Sequence, residues 1–395
     1  MPSTPTEQEE TTDAVLEARL EALWPDVVRP LDDVPGAAGV TAQAPNREQQ
    51  AAIEERGVVF VSAGAGTGKT TVLVERFVKA IVERELPLDS VLVITYTERA
   101  AGELRARIRE RLHAAGREDL ARDIDRAWIS TIHGFCSRLL RAHPFEAGLD
   151  PGFRVVDENQ ALVLRSEAFA DALAAFLASR DAHRVRLLST YGSRRLATML
   201  AGAYDRLRSA GRPLELGGGE ADGLAAAVEA LRECATAVLS DAAADPDGKA
   251  LVGRALELVG HPVPSAERLL DLAELKVGRG AERFAGYDEA VAGVESAALD
   301  EVAVRDRALL EELLRAFDTA YRAAKARESA LDFEDLQLST RELLRRDEGV
   351  RDRARWRFRS VMVDEFQDTN RLQCEIVDEL ACDDLFFVGD EIQSI

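Results

Sequence analysis

A short apolar run that turns into glycines, a lysine and two threonines carries the clearest chemistry in this sequence. The stretch covers residues 57–71 and reads GVVFVSAGAGTGKTT. Residues 58–61 are apolar and mostly β-branched, which predicts a buried strand, and helical spacing begins at Lys69. Glycines between a strand and a helix let consecutive amides point into one concavity at the positive end of the helix. The sequence therefore predicts a phosphate-binding loop.

The side chains of this loop predict its ligands. Lys69 is expected to reach the β- and γ-phosphates of a nucleoside triphosphate, and Thr70 to place its hydroxyl on Mg²⁺. The usual pattern begins with glycine, whereas this chain has Ala63 there. We expect ATP and Mg²⁺ as ligands, with nucleotide contacts from Ala63, Gly64, Ala65, Gly66, Thr67, Gly68, Lys69, Thr70 and Thr71. The alternative is a glycine-rich turn that binds nothing.

Polar residues also follow each of the other predicted strands of the sequence. Further strands are predicted at residues 91–95, 128–132, 360–363 and 385–388. The fold class that this indicates is α/β, with a parallel sheet of the P-loop NTPase type. In such a sheet the carboxyl ends of the strands share one edge, where ligands bind. We therefore expect convergence of the phosphate loop with Thr95, Tyr96, Thr97, His133, Asp364, Glu365, Asp390 and Gln393.

An adjacent pair of carboxylates follows the predicted strand at residues 360–363. Hydrolysis of a phosphoanhydride needs an aspartate at a strand end for Mg²⁺ and a second group that orients or deprotonates water. Asp364 and Glu365 fit these two tasks because neighbouring residues point in different directions. The alternative is a solvated pair, since the chain contains 71 acidic residues.

Composition divides the chain into four segments. Residues 1–44 form an acidic N-terminal extension, and residues 45–132 the first part of the sheet domain. Residues 133–340 are mostly rich in Ala, Leu, Arg and Glu at helical spacing, which predicts a helical insertion. Residues 341–395 would complete the sheet domain.

Bulk properties restrict the class of protein. The 395 residues are 46% hydrophobic and 31% charged, as in globular proteins. No run of 18 apolar residues and no basic, then apolar N-terminus is present, so we expect a cytoplasmic protein without membrane contact. The four cysteines contain no CxxC pair, which argues against zinc. A net charge of −21 argues against a uniformly basic nucleic-acid-binding surface, although arginines group at 99–111 and 351–359.

Seven segments in order resemble the motifs of superfamily 1 DNA helicases of the UvrD/Rep and AddA/RecB kinds. They are PNREQ, AGAGTGKTT, TYTERAAGEL, STIHGFC, LDFEDL, VDEFQDTN and VGDEIQSI, which span residues 45–395. Alanine at the start of the phosphate loop is usual in this family. The long insertion and the segment HPFEAGLDPGFRVVDE resemble the AddA/RecB branch.

The resemblance implies a role for individual side chains. Gln49 would recognise adenine, Asp364 would bind Mg²⁺, Glu365 would activate water, and Gln393 would sense the γ-phosphate and couple it to DNA. The helical stretch would be the 1B subdomain of a RecA-like domain. Residues implied in the track for single-stranded DNA are Thr95, Tyr96, Thr97, His133 and Phe135, although Phe135 could equally belong to the core.

The function that the resemblance implies is that of an ATP-dependent 3′ to 5′ DNA helicase in repair or recombination. Its substrate would be single-stranded or partly duplex DNA, and its partner an AddB-like protein. Members of the family continue past the motif that contains Gln393 and supply further arginines. We therefore expect these 395 residues to bind Mg-ATP, to hydrolyse it slowly and not to unwind DNA. The alternative is a non-catalytic module or truncated remnant that binds ATP and DNA.

Overall fold

A computed structural model describes residues 45–64, 67–278, 284–380 and 382–390 of the chain. These residues form two compact units. The first comprises residues 45–161, 208–211 and 328–390, and the second residues 162–207 and 212–327.

The first unit is built on a parallel sheet of five strands in the order β1-β7-β6-β2-β3. The strands are β1 Val58–Ser62, β2 Val91–Thr95, β3 Trp128–Thr131, β6 Ser360–Val363 and β7 Leu385–Gly389. Each lies within one residue of its predicted bounds, which confirms the five predicted strands. Short, apolar, β-branched runs favour strands that helices bury on both faces.

Helices cover the two faces of this sheet. One face packs against α1 Arg47–Glu54, α2 Lys69–Val82, α3 Glu98–Ala114 and α4 Glu118–Asp123. The other packs against α5 Ile132–Ala142, α13 Phe333–Arg346, α14 Glu348–Arg357 and α15 Arg371–Leu380. This three-layer arrangement is the α/β fold of a P-loop NTPase, as predicted.

A second, two-stranded parallel sheet ties together the segments on either side of the helical unit. It pairs β4 Arg154–Val155 with β5 Ala330–Leu331. Residues 133–161 and 328–340 therefore lie in the first unit, because α5 and α13 share its apolar core. The compact helical unit is thus narrower than the predicted insertion at residues 133–340.

The second unit consists of helices within the described residues. They are α6 Glu158–Leu177, α7 Ala182–Tyr191, α8 Ser193–Ser209, α9 Leu224–Ser240, α10 Pro246–Leu258, α11 Ala266–Leu269 and α12 Ala285–Arg327. The first four residues of α6 and the last two of α8 belong to the first unit. Helices α9 to α12 enclose one apolar cluster that includes Leu231, Val252 and Val291. No helix in the described part of the chain has the length and apolar character needed to cross a membrane.

Candidate nucleotide site and neighbouring cleft

The predicted phosphate loop joins the end of β1 to the start of α2. The backbone N–H of Ala63 donates to the carbonyl oxygen of Gly389 at 2.9 Å, which fixes the start of the loop to the neighbouring strand β7. Ala63 is buried, so its methyl group is part of the core. Ala65 and Gly66 lie outside the described residues. The loop therefore begins at a fixed point on the carboxyl edge of the sheet.

Gly68 is favoured by its backbone conformation and lies close to Gln49. Its φ of 89° lies in the left-handed region, and an added Cβ would stand 3.0 Å from Nε2 of Gln49. As the N-cap of α2 it offers no side chain to the first turn, which also carries no acidic residue. The amides at this helix end thus suit an anion such as phosphate.

Gln49 lies against the phosphate loop. Its Oε1 accepts from the backbone N–H of Asn46 at 2.9 Å, and its Nε2 donates to the carbonyl oxygen of Thr67 at 2.9 Å. A carboxamide has two donor hydrogens and two acceptor lone pairs, so one of each remains for a further partner. That remaining pair is the pattern needed for hydrogen bonds to an adenine edge.

Lys69 and Glu365 meet across the site although 296 residues separate them in the chain. The ammonium group of Lys69 stands 3.0 Å from Oε2 of Glu365. Strand β7 lies between β1 and β6 in the sheet, so the contact is made by side chains that reach across the end of β7. The structure therefore brings the phosphate loop and the carboxylate pair together, as the strand-edge argument predicted.

Glu365 has an unusual backbone conformation. Its φ of 52° and ψ of 50° are left-handed, which is uncommon for a residue other than glycine, asparagine or aspartate. Such conformations cost about 1–3 kcal/mol and persist where the surroundings enforce them, often at functional sites. The strain supports a functional role for this carboxylate.

The two carboxylates differ in their readiness to ionise. Burial, with the neighbouring charge of Glu365, raises the pKa of Asp364 to about 6. Burial acts in the same direction on Glu365, but hydrogen bonds from Gln367 and Lys69 together with the charge of Lys69 leave its pKa below the usual value. A cation close to a buried carboxylate stabilises its ionised form and so offsets the effect of burial.

The donor set at this edge fits Mg²⁺ with a nucleotide. Mg²⁺ binds through one or two protein oxygens, waters and the phosphates of its substrate rather than through a full protein cage. Asp364 follows the end of β6 and Thr70 lies in the first turn of α2, and both side chains carry hard oxygen atoms of the kind that Mg²⁺ prefers. The described residues contain no group of three or more His, Cys, Asp and Glu side chains arranged for a metal.

Gln367 is a site residue to which the sequence motifs assigned no role. Its Nε2 donates to Oε2 of Glu365 at 2.8 Å, and its Oε1 accepts from the backbone N–H of Asp390 at 2.9 Å. Asp390 thus joins the site through its backbone. Gln393, the predicted γ-phosphate sensor, lies outside the described residues.

A cleft of about 380 Å³ lies beside the ends of β2 and β3. Tyr96 projects there with 67% of its surface exposed, and Phe333 faces the same cleft with 44% exposed. The ring centroids of Phe333 and His133 are 4.9 Å apart. The remaining lining residues are Glu98, Thr131, Gly134, Ser137, Val155 and Leu336. Exposed aromatic rings around a groove provide stacking surfaces for bases.

Two polar contacts fix the wall of this cleft. Nε2 of Gln337 lies 2.8 Å from Nε2 of His133, and the hydroxyl of Thr131 donates to Oε1 of Glu98 at 2.7 Å. Burial lowers the pKa of His133, against an opposing effect of Glu98, which favours the neutral imidazole. No sequence motif pointed to Gln337, which approaches from α13, 204 residues away.

Two of the residues expected to line a DNA track lie inside the protein instead. Phe135 has none of its surface exposed, because it packs against Trp128 and Phe358 in the core beneath α5. Thr95 is also buried, and its hydroxyl donates to the carbonyl oxygen of Thr97. The hydroxyl of Thr97 accepts from the N–H of Ala100 and caps α3. The exposed positions among these are Tyr96 and Thr97.

Comparison of the chain with known protein families shows to which family it belongs. Residues 45–395 match the family model described as the UvrD/REP helicase N-terminal domain. The match covers both halves of the sheet domain and the helices between them. The chain belongs to the UvrD/REP helicase family.

Curated relatives of this UvrD/REP family member are named as ATP-dependent helicase/nuclease subunits of the AddA type. The protein from Moorella thermoacetica is 33% identical over 88% of this chain and 31% of its own length. Those from Pelotomaculum thermopropionicum and Exiguobacterium sibiricum are 31% and 29% identical, over 92% and 88% of this chain and 35% of their own length. The chain spans about a third of the relatives it matches, and their name confirms the resemblance to the AddA branch.

Proposed function

We propose that this chain is the nucleotide-binding part of an ATP-dependent DNA helicase that acts in repair or recombination. The observation that carries the proposal is the contact between Lys69 of the phosphate loop and Glu365 beyond β6, at 3.0 Å. It joins a phosphate-binding group and a candidate water-activating group at the ligand-binding edge of the sheet.

In this proposal each side chain has a separate role in the binding or hydrolysis of ATP. Gln49 contacts adenine, the loop amides and Lys69 bind the phosphates, and Thr70 and Asp364 hold Mg²⁺. The metal neutralises charge on the β- and γ-phosphate oxygens. Glu365 accepts a proton from the attacking water, for which its carboxylate is in the required ionised form at neutral pH.

Replacement of Lys69 by alanine tests the nucleotide site. We expect affinity for Mg-ATP to fall roughly 10- to 100-fold, because a hydrogen bond to a charged group contributes about 1.5–3 kcal/mol. Titration with a fluorescent ATP analogue measures the change. Lys79→Ala is the matched control, since Lys79 lies in the last turn of the same helix and pairs with Glu54. Equal affinities for wild type and Lys69→Ala would refute the phosphate assignment.

We further propose that single-stranded DNA runs along the cleft beside β2 and β3. Tyr96 and Phe333 would stack on bases, with His133 packed behind Phe333. The support is the exposure of two aromatic rings around one groove at the carboxyl edge. Phe135 has no part in this contact because it is enclosed in the core.

Tyr96→Ala tests the DNA track. We expect binding of a labelled oligothymidylate to weaken by about 1–3 kcal/mol, the usual contribution of one stacked base. Fluorescence anisotropy at fixed salt gives the Kd. Phe145→Ala is the control, because Phe145 is another highly exposed aromatic residue and does not line the cleft. An equal loss in both variants would assign the effect to general surface changes rather than to stacking by Tyr96.

The remaining features of the proposal follow the family. Movement in the 3′ to 5′ direction, partly duplex substrates, an AddB-like partner and a cytoplasmic location are proposed on the resemblance alone. An assay of the whole protein on tailed duplexes of opposite polarity tests the direction. Binding of ATP and DNA without any hydrolysis would favour the alternative, a non-catalytic module.

A further inference from the structure

The side chain of Gln367 bridges two elements of the nucleotide site. Its Nε2 donates to Oε2 of Glu365 at 2.8 Å, while its Oε1 accepts from the backbone N–H of Asp390 at 2.9 Å. An uncharged carboxamide donates and accepts at the same time, so one side chain serves both partners. The Glu365 carboxylate is thereby tied to the backbone that follows β7.

The turn that carries Gln367 is anchored on both sides. The 3₁₀ turn Phe366–Asp368 begins directly after the left-handed Glu365. The ring of Phe366 packs against Phe60 of β1 and Phe387 of β7, with centroids 5.9 and 4.7 Å apart. This packing restricts the turn, so Gln367 has a defined position from which to reach Glu365.

The backbone at the other end of the bridge is equally constrained. An added Cβ on Gly389 would stand 3.1 Å from Oε1 of Gln367, which is a tight approach. The carbonyl oxygen of Gly389 accepts from the N–H of Ala63 at the start of the phosphate loop. The pair Gly389 and Asp390 thus contacts both the loop and Gln367.

Lys69 and Gln367 donate to the same carboxylate oxygen, Oε2 of Glu365. In the proposed function Lys69 turns to phosphate when ATP binds, which removes one of these donors. Among the described residues Gln367 is then the side chain that continues to hold the carboxylate. An orienting partner matters because a displacement of about 1 Å of a reacting group can slow a reaction about 10²-fold.

We propose that Gln367 is a positioning residue that holds the Glu365 carboxylate at a fixed position relative to the Asp390 backbone while Lys69 binds ATP. The inference rests on the proposed function, in which Glu365 activates water. It adds that a shift of the backbone at Asp390 is transmitted to Glu365 through one side chain. In this proposal Gln367 acts through Glu365 rather than on the nucleotide or the attacking water.

Gln367→Met tests this inference because it preserves length and removes both hydrogen bonds. We expect the Kd for Mg-ATP to stay within about threefold, and single-turnover hydrolysis of radiolabelled ATP to slow by about 10- to 100-fold. Gln373→Met is the matched control, a half-buried glutamine on α15 with no part in the site. Its hydrolysis rate should equal that of wild type.

Hydrogen exchange at the Asp390 amide gives a readout independent of catalysis. Loss of the acceptor in Gln367→Met should speed exchange at this amide. Gln367→Glu keeps an acceptor for Asp390 but replaces the donor by a second negative charge next to Glu365. We therefore expect it to keep the amide protected while hydrolysis still slows.

The outcomes separate the inference from the proposed function. If hydrolysis in Gln367→Met stays within about twofold of wild type while Glu365→Gln is impaired, the inference fails and the proposed function stands. Unchanged exchange at the Asp390 amide in Gln367→Met would also refute the bridge, whatever the catalytic result. A wild-type chain that neither binds nor hydrolyses ATP would overturn the proposed function, and the inference with it.

Discussion

Glu365→Gln is expected to slow ATP hydrolysis about 10²- to 10⁴-fold, the usual contribution of a positioned general base. The substitution preserves the volume of the side chain and removes its charge, so the amide no longer takes a proton from water. Nucleotide affinity should stay the same or rise, because one negative charge beside the expected phosphate position is lost. Single-turnover hydrolysis and titration with a fluorescent ATP analogue measure the two quantities separately.

The control for this prediction is another glutamate of the first unit. Glu342→Gln changes an exposed side chain on α13 by the same one charge and should leave both measurements at their wild-type values. Hydrolysis by Glu365→Gln at the wild-type rate would remove Glu365 from the mechanism. The strained backbone at φ 52° would then need a structural explanation.

The sheet was predictable from sequence because its signals are local. Each strand has four or five residues, mostly apolar except for the last two of β3, and polar residues begin where the strand ends. The parallel arrangement then places those ends on one edge. The shared edge is therefore sufficient to predict that Lys69 and Glu365 lie on the same side of the sheet, whereas their contact depends on the strand order β1-β7-β6.

The helical spacing of apolar residues on α5 predicts that Phe135 lies in the core rather than in the DNA track. Phe135 and Leu139 lie four residues apart on α5, as do Cys136 and Leu140, so all four share one helix face. That face packs against the sheet and buries all four side chains. His133 precedes these residues and lines the cleft. Helical periodicity thus separates the buried phenylalanine from the cleft-facing histidine within one motif.

Other site residues were not predictable because their partners are distant in sequence. Gln367 meets Asp390, and Gln337 reaches His133 across 204 residues. Phe333 begins a helix whose placement beside His133 depends on the packing of α13 against α5. No local pattern contains this information, since each contact arises only when the sheet and its helices assemble.

The largest effect on stability is expected at the opposite edge of the sheet, where a buried ion pair joins α2 to the start of β7. Arg76 has no exposed surface and forms a salt bridge with Asp384. Its Nη1 also donates to the carbonyl oxygens of Ala52 and Glu55 at 2.7 and 2.6 Å. Ser360 donates to Asp384 at 2.8 Å, so both charges have several partners.

Burial destabilises the charged form of Arg76, and Asp384 offsets this effect. Burial lowers the pKa of Arg76, whereas the charge and hydrogen bond of Asp384 raise it. The guanidinium also lies over the ring of Phe386, 4.5 Å from its centroid, and has no exposed surface. Removing the carboxylate therefore leaves a buried charge without its main counter-ion.

Asp384→Ala is expected to lower the free energy of unfolding by about 3–5 kcal/mol, the usual cost of removing one partner of a buried ion pair. Urea unfolding followed by tryptophan fluorescence measures the loss, because Trp128 lies in the core of the same sheet. Asp383→Ala, at the exposed neighbouring position, should change the stability little. The double variant Arg76→Met/Asp384→Leu should lose less than the two single changes combined, since the charges of Arg76 and Asp384 are removed together and, among the described charged residues, only Arg84, 3.3 Å from Asp384, loses a partner. Strict additivity of the two losses would show that the ion pair does not couple α2 to β7.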